Sequence, residues 1–185
     1  MRTNWIAMFS HTGAEIAAIS KQLGRWPDKI ITNKEPGDAS ISDTVTKELM
    51  FCSKKPTVSD YRRLFTRGDF ITMHGWMQIV PTKICSDYDI YNLHPGLITK
   101  YPELKGKDPQ KRVFGGKISY DHIGCVLHKA TGVLDSGPVI MERSAGNKFT
   151  GPNHLSEYLH EMSTDMWTEY ISFKLHGEAG LAFRS

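Results

Sequence analysis

Residues 5 to 24 read WIAMFSHTGAEIAAISKQLG, and this stretch decides the fold class. Its first five residues, Trp5 to Phe9, form a continuous apolar run, which predicts a strand buried on both faces. Ser10 to Gly13 predict a turn. Ala14 to Leu23 place apolar residues at helical spacing, and Gly24 ends that pattern, so a helix follows the turn. A strand, a turn and a helix in this order are typical of an α/β protein.

The same alternation continues along the chain. A helix with Ser59 as its N-cap is predicted through Phe65. A polar loop is predicted after the strand that ends near Asn92, and a long amphipathic helix is predicted from Asn153. Further strands are predicted at residues 29–32, 50–51, 69–73, 89–93, 123–128 and 138–142. Together these elements predict one Rossmann-like α/β domain over residues 1–185, with a mostly parallel, twisted sheet and helices on both faces.

Composition and charge narrow the function classes. At 185 residues the chain is long enough to bury one large core. Its formal net charge of +3 is small and does not indicate nucleic-acid binding. Cys52, Cys85 and Cys125 match neither a zinc site nor a disulfide framework, and they predict buried thiols in the reducing cytoplasm. The apolar run after Asn4 is too short for a signal peptide, and no stretch is long enough to span a membrane. We expect a cytoplasmic protein without a metal, membrane or nucleic-acid partner.

Three polar residues are candidates for chemistry. Asn92 and His94 lie two residues apart at the end of a predicted strand, so their side chains point to the same face. An amide there can donate a hydrogen bond to a carbonyl oxygen, and to the oxyanion that forms when the carbonyl is attacked. Histidine can add positive charge or move protons, and a carboxylate such as Asp135 would support the charged imidazole. With no Ser or Cys nucleophile, this set suits direct transfer of an acyl group to an acceptor.

Each of these residues also has a structural explanation. An Asn before a turn commonly caps the backbone, and an Asp before Ser-Gly-Pro is an ordinary turn residue. A lone His is more often a surface residue or a hydrogen-bonded core residue than a catalyst. Because the sequence alone does not show the three residues meeting in space, both explanations stay open at this stage.

Two motifs together resemble the folate-dependent formyltransferase family. The first is the Asn-Leu-His-Pro-Gly-Leu run from Asn92 to Leu97, followed by Lys100-Tyr101-Pro102 and Gly106. The second is the Leu-Asp-Ser-Gly-Pro-Val-Ile run from Leu134 to Ile140. The similarity extends from the first strand to the last helix but is poor over residues 33–68.

The resemblance implies a substrate pair and a mechanism. The donor would be 10-formyltetrahydrofolate, acting as a cosubstrate, and the acceptor a primary amine on a small phosphorylated molecule, first of all glycinamide ribonucleotide. Asn92, His94 and Asp135 stand at the positions of the family's catalytic residues. Asn92 and protonated His94 would stabilise the tetrahedral oxyanion, and Asp135 would support His94 and take up the amine proton through water.

The resemblance also implies two binding regions. Backbone groups of two segments would hold the pterin of the folate, and the turn after the first strand would bind the acceptor. The two segments are Met77, Gln78, Ile79, Val80 and Ala130, Thr131, Gly132, Val133, Leu134, and the turn is Ser10, His11, Thr12, Gly13. In purine-pathway members the turn is a Ser-Gly-Asn-Gly-type phosphate loop, but here Glu15 adds negative charge beside it. An acceptor-binding glutamate of those members falls near Ser163, and His128 matches a recurrent histidine for which a structural role is equally open.

Other functions stay open within this resemblance. The segment from Gly106 to Gln110, and Gly96 after His94-Pro95, are closer to sugar-nucleotide formyltransferases. An N-formyltransferase for an amino sugar nucleotide or a modified nucleotide is therefore the main alternative. A formyltetrahydrofolate deformylase and a non-catalytic folate or nucleotide binder are further alternatives. The expected partners are the amine acceptor and folate, and a homodimer is left open.

Overall fold

Strands and helices alternate through the chain in a computed structural model that describes residues 3–177. The elements in chain order are β1 (Trp5–Phe9), α1 (Ala14–Leu23), β2 (Lys29–Thr32), β3 (Leu49–Phe51), α2 (Val58–Leu64), β4 (Phe70–His74), α3 (Thr82–Asp87), β5 (Asp89–His94), a 3-10 turn (Pro102–Leu104), α4 (Pro109–Gly115), β6 (His122–Lys129), β7 (Val139–Gly146) and α5 (Pro152–His176).

The seven strands form one sheet in the order β3-β2-β1-β4-β5-β6-β7. Neighbouring strands from β3 to β5 pair in parallel, whereas β6 is antiparallel to both β5 and β7. The short connection between β6 and β7 is compatible only with an antiparallel pair, because a parallel pair needs a long crossover. The predicted Rossmann-like fold with a mostly parallel sheet is confirmed.

Helices cover both faces of the sheet, which explains why β1 is apolar throughout. Trp5, Ala7 and Phe9 pack with α1 and α5 in one buried cluster, and Ile6 and Met8 belong to a second cluster on the opposite face with α2 and α3. Successive side chains of a strand point to opposite faces, so a strand that is covered twice shows no polar alternation. No helix within residues 3–177 is long and apolar enough to cross a membrane.

Two sequence predictions need correction. The region predicted as a polar loop after β5 contains the 3-10 turn and α4, whose Val113 and Phe114 pack against the core. Two apolar residues in one short helix give too little periodicity to reveal it. The N-cap of α2 is Thr57, not Ser59, because the Thr57 and Asp60 side chains bond reciprocally to each other's backbone N–H groups in a capping box.

Candidate functional site

A cavity of about 690 Å³ opens at the carboxyl ends of β1, β4 and β5. Residues that follow β1 and β4 line it, as does the end of β5 itself, from Asn92 to Pro95. In open α/β sheets ligands bind beyond this edge, and the volume is that of a typical small-molecule pocket. The cavity is therefore the candidate binding site.

The lining divides into two halves with different chemistry. The first, which we call the α1–α5 half, is polar and consists of His11, Thr12, Gly13, Glu15, His74, Ser156, His160 and Ser163. The second, which we call the α3 half, consists of Trp76, Met77, Gln78, Ile79, Val80, Gly132, Val133 and Leu134. Four of its side chains are large, apolar and well exposed: Met77, Ile79, Val133 and Leu134. Apolar side chains exposed within a cavity are typical of a ligand-binding wall.

His94 and Asp135 form a buried pair in this cavity. His94 Nδ1 lies 3.1 Å from Asp135 Oδ2, and His94 Nε2 lies 2.9 Å from the carbonyl oxygen of Leu104. A carbonyl oxygen only accepts hydrogen bonds, and so does an ionised carboxylate. Both ring nitrogens of His94 must therefore donate, which makes the ring an imidazolium held between two acceptors.

Asn92 contacts the other oxygen of the same carboxylate. Its Nδ2 lies 3.3 Å from Asp135 Oδ1 and 3.3 Å from His128 Nε2. His128 Nδ1 lies 3.2 Å from the carbonyl oxygen of Lys129, so this nitrogen carries a proton. The structure thus brings Asn92, His94, His128 and Asp135 together at one end of the sheet.

The surroundings of Asp135 keep its carboxyl ionised. Burial by itself raises the pKa of Asp135, but hydrogen bonds from His128 and His94, the charge of His94 and a bond from the Gly106 N–H hold that pKa well below its usual value. The Gly106 N–H donates to Asp135 Oδ2 at 2.8 Å. The Asp135 backbone has a φ of 45°, in the left-handed region that is uncommon for residues other than glycine. Such conformations gather at functional sites.

Gly96 and Arg112 fix the position of the His94 ring. A Cβ atom at Gly96 would lie 2.9 Å from His94 Nε2, so a side chain there would press on the ring. The Arg112 guanidinium donates to the carbonyl oxygens of Leu104, at 2.8 Å, and Gly106, at 3.2 Å. Arg112 therefore binds the two backbone segments that bind His94 and Asp135. No sequence pattern identified Arg112 in this role.

A second histidine–carboxylate pair, partly buried, lies in the α1–α5 half. Glu15 Oε2 is 2.9 Å from His74 Nδ1, and the Ser163 hydroxyl donates to Glu15 Oε1. Burial raises the pKa of Glu15, but the hydrogen bond and charge of His74, with smaller contributions from Ser163 and His160, leave it below its usual value. His74 Nε2 continues the chain of bonds to the Thr72 hydroxyl at 2.8 Å. The sequence drew attention to Glu15 and Ser163 separately but not to their contact.

Most of the residues predicted to bind ligands line the cavity, but three of them do not. His11, Thr12 and Gly13 line the cavity, but the Ser10 hydroxyl accepts a 3.0 Å hydrogen bond from the Met77 N–H and is not part of the lining. All of Met77 to Val80 line the α3 half, together with Gly132, Val133 and Leu134. Ala130 instead packs in the core cluster beneath, and Thr131 is outside the lining. In the described part of the chain, no group of three or more His, Cys, Asp or Glu residues could hold a metal ion.

Comparisons with known proteins point to one group of enzymes. No family model matches the chain. A curated relative, phosphoribosylglycinamide formyltransferase of Dictyostelium discoideum, is 28% identical over 174 residues, covering 77% of this chain and 83% of that protein. This chain is thus similar over most of its length to a folate-dependent formyltransferase.

Two further proteins match this chain to different extents. Mitochondrial formyltetrahydrofolate deformylase 2 of Arabidopsis thaliana is 35% identical, but over only 39% of this chain and 21% of that protein. The crystal structure of phosphoribosylglycinamide formyltransferase from Anaplasma phagocytophilum superimposes with a TM-score of 0.77 at 20% identity, covering 95% of this chain and 88% of that one. The formyltransferase fold therefore extends over nearly the whole chain.

Proposed function

We propose that the chain transfers a formyl group from 10-formyltetrahydrofolate to a primary amine of a small acceptor, with residues 1–185 acting as a single catalytic domain. The first acceptor to test is glycinamide ribonucleotide, the substrate implied by the name of the Dictyostelium relative. The observation that carries the proposal is the buried ion pair between His94 and Asp135, with Asn92 on the same carboxylate, inside the cavity at the strand ends.

The α3 half suits the folate donor. Its apolar side chains, Met77, Ile79, Val133 and Leu134, are 45 to 65% exposed and offer a wall against which a flat ring can pack. The close approach of Gly132 to α3 shapes this wall, since a Cβ at Gly132 would lie 2.4 Å from the Thr82 hydroxyl oxygen. Backbone groups of the same two segments would hold the polar edge of the ring.

The residues at the end of β5 suit attack by an amine on the formyl carbon. A new C–N bond forms to the acceptor nitrogen, the bond from the formyl carbon to the folate nitrogen breaks, and the amine proton passes to the folate nitrogen. The Asn92 amide donates to the developing oxyanion, and the imidazolium of His94 supplies positive charge beside it. Because both His94 nitrogens already donate to protein atoms, His94 acts in this arrangement through its charge and through Asp135. The Asp135 carboxylate relays the amine proton.

A second acceptor class is favoured by a specific observation. The ionised Glu15 carboxylate lies beside the turn where a phosphate of glycinamide ribonucleotide would bind. An amino group on a sugar nucleotide or on a modified nucleotide is therefore the alternative acceptor. Hydrolysis of the formyl group by water, the deformylase reaction, is tested by the same assay.

The setting of the protein is also part of the proposal. We infer a cytoplasmic location, supported by three free cysteines, two of which, Cys85 and Cys125, are buried. The partners would be small molecules, the folate and the amine acceptor, with no nucleic acid, and a homodimer is the assembly to look for.

Release of tetrahydrofolate by the purified protein tests the function. The protein is given 10-formyltetrahydrofolate with glycinamide ribonucleotide, with amino sugar nucleotides, or with no amine. We expect release that requires an amine. Equal release without any amine would replace the transferase by a deformylase, and no release under any condition would contradict the proposed function.

A further inference from the structure

Glu15 is held as a carboxylate that still faces the cavity. His74 and Ser163 bond to one oxygen each, and the side chain remains 17% exposed. An ionised carboxylate offers about four lone-pair sites on its two oxygens, so two of them are free for a ligand in the cavity. A hydroxyl or an amino group is the partner that these sites accept.

Within residues 3–177, the rest of the α1–α5 half has no lysine or arginine to attract a phosphate, and its other basic side chains are the imidazoles of His11 and His160. Among the described residues that line the whole cavity, Lys107 is the one lysine or arginine, and it belongs to the loop before α4. The Ala14 N–H at the start of α1 already donates to the Thr12 hydroxyl at 3.2 Å. Phosphate sites rely on arginine, lysine or free backbone N–H groups, and a nearby carboxylate repels the anion.

The pair of Glu15 and His74 is also built into the core of the protein. His74 is buried, its ring centroid is 4.9 Å from that of Trp167, and the Thr72 hydroxyl that meets its Nε2 also accepts from Trp5 Nε1. Packing on all sides prevents His74 from turning away, so Glu15 keeps its partner and its place in the cavity.

We propose that the α1–α5 half binds an uncharged part of the acceptor that carries hydroxyl or amino groups, through the Glu15 carboxylate, and that no phosphate binds at the start of α1. This rests on the proposed formyl transfer, and it narrows the acceptor to an amine on a sugar or nucleoside-like group whose charge, if any, lies outside this half.

A matched pair of acceptors tests the inference. Glycinamide ribonucleotide and its dephosphorylated ribonucleoside present the same amine and differ only in the phosphate. For the wild-type protein we expect a higher kcat/KM with the ribonucleoside. Glu15→Gln keeps the shape and removes the charge, so it should shift the ratio of the two kcat/KM values toward the ribonucleotide by roughly ten- to a hundredfold, mainly through KM.

Two further variants distinguish the loss of the Glu15 charge from a general loss of activity or folding. Glu161→Gln removes an exposed carboxylate from α5 and should leave the ratio unchanged. If Glu15→Gln does not fold, Ser163→Ala takes its place, since it removes one hydrogen bond from Glu15 and should raise KM for the ribonucleoside. A wild-type preference for the ribonucleotide, or a ratio that Glu15→Gln does not change, would overturn the inference.

A binding measurement keeps the two proposals apart. Calorimetry gives the Kd of each compound for the wild-type and Glu15→Gln proteins without any turnover. If no amine is formylated, the proposed function fails, but the order of the Kd values still decides the inference. Tighter binding of the ribonucleoside by the wild-type protein supports it, and tighter binding of the ribonucleotide contradicts it.

Discussion

Arg112 and His94 bind the same carbonyl oxygen, that of Leu104, at 2.8 and 2.9 Å. Arg112 also binds the carbonyl oxygen of Gly106, whose N–H donates to Asp135. One guanidinium group thus fixes the loop that holds both members of the buried ion pair. The arrangement of the site depends on this loop as well as on the end of β5.

Arg112→Lys should therefore impair formyl transfer, although Arg112 itself contacts no substrate in the proposed mechanism. Both hydrogen bonds come from Arg112 Nη2, and the shorter, flexible lysine side chain does not place its ammonium group at that point, so the loop and the His94 ring would shift. We expect kcat to fall by roughly ten- to a hundredfold while the Kd for folate changes little. The exposed neighbour Lys111, changed to Ala, is the control. An equal loss of folate binding would assign Arg112 a merely structural role.

Asn92→Ala should remove a donor to the oxyanion. Turnover is expected to fall by roughly 10²–10³-fold with nearly unchanged binding of the donor, because the interaction strengthens only in the transition state. Steady-state kinetics with a folate-binding titration measure both quantities, and Asn153→Ala at the exposed start of α5 is the control. Turnover close to that of the wild type would remove Asn92 from the mechanism.

Gly96→Ala should disturb the His94 ring directly. The new Cβ would lie 2.9 Å from His94 Nε2, and the ring cannot retreat because Leu104 and Asp135 hold it on both sides. Overpacking of this kind costs about 1–3 kcal/mol, and we expect it to appear as lower kcat in a folded protein. Gly115→Ala has no atom within 4 Å of the added Cβ and should behave as the wild type. Full activity of Gly96→Ala would show that the ring position is not critical.

Asp135 should make the free energy of unfolding depend on pH at acidic pH. Its pKa in the folded protein lies below the reference value of 3.8, so the ionised carboxylate stabilises the fold above that pH. This contribution is lost as the pH falls through the region below 3.8 toward the folded pKa.

Asp135→Asn should remove that dependence. Between about pH 4 and pH 2, the free energy of unfolding should fall less steeply in the variant than in the wild type. Denaturant unfolding at a series of pH values measures the slopes, with Asp43→Asn at an exposed position as the control. Parallel slopes for the wild type and Asp135→Asn would contradict the buried ion pair.

Local sequence patterns predicted the structural features that are set by residues close together in the chain. The apolar run of β1 predicted a strand covered on both faces, and the spacing of Asn92 and His94 predicted side chains on one face. Both residues do approach Asp135. Periodicity carries this information because it is set by backbone geometry alone.

The rest of the site depends on contacts between distant parts of the chain. The hydrogen bond from Ser163 to Glu15 joins residues 148 positions apart, and the pair of Glu15 and His74 joins residues 59 apart. No local pattern encodes these contacts. The role of Arg112 could not be predicted for a different reason. Its partners are backbone carbonyl oxygens, which have no signature in the sequence.

The fate of an isotopically labelled formyl carbon tests the central claim most directly. The purified protein would receive 10-formyltetrahydrofolate labelled in the formyl group together with an amine that supports tetrahydrofolate release. Magnetic resonance and mass spectrometry would then locate the label. We expect the label to appear as a formamide on the acceptor nitrogen, at a rate that falls in step with tetrahydrofolate release in Asn92→Ala. Label found only in free formate, or retained on the folate, would contradict this expectation.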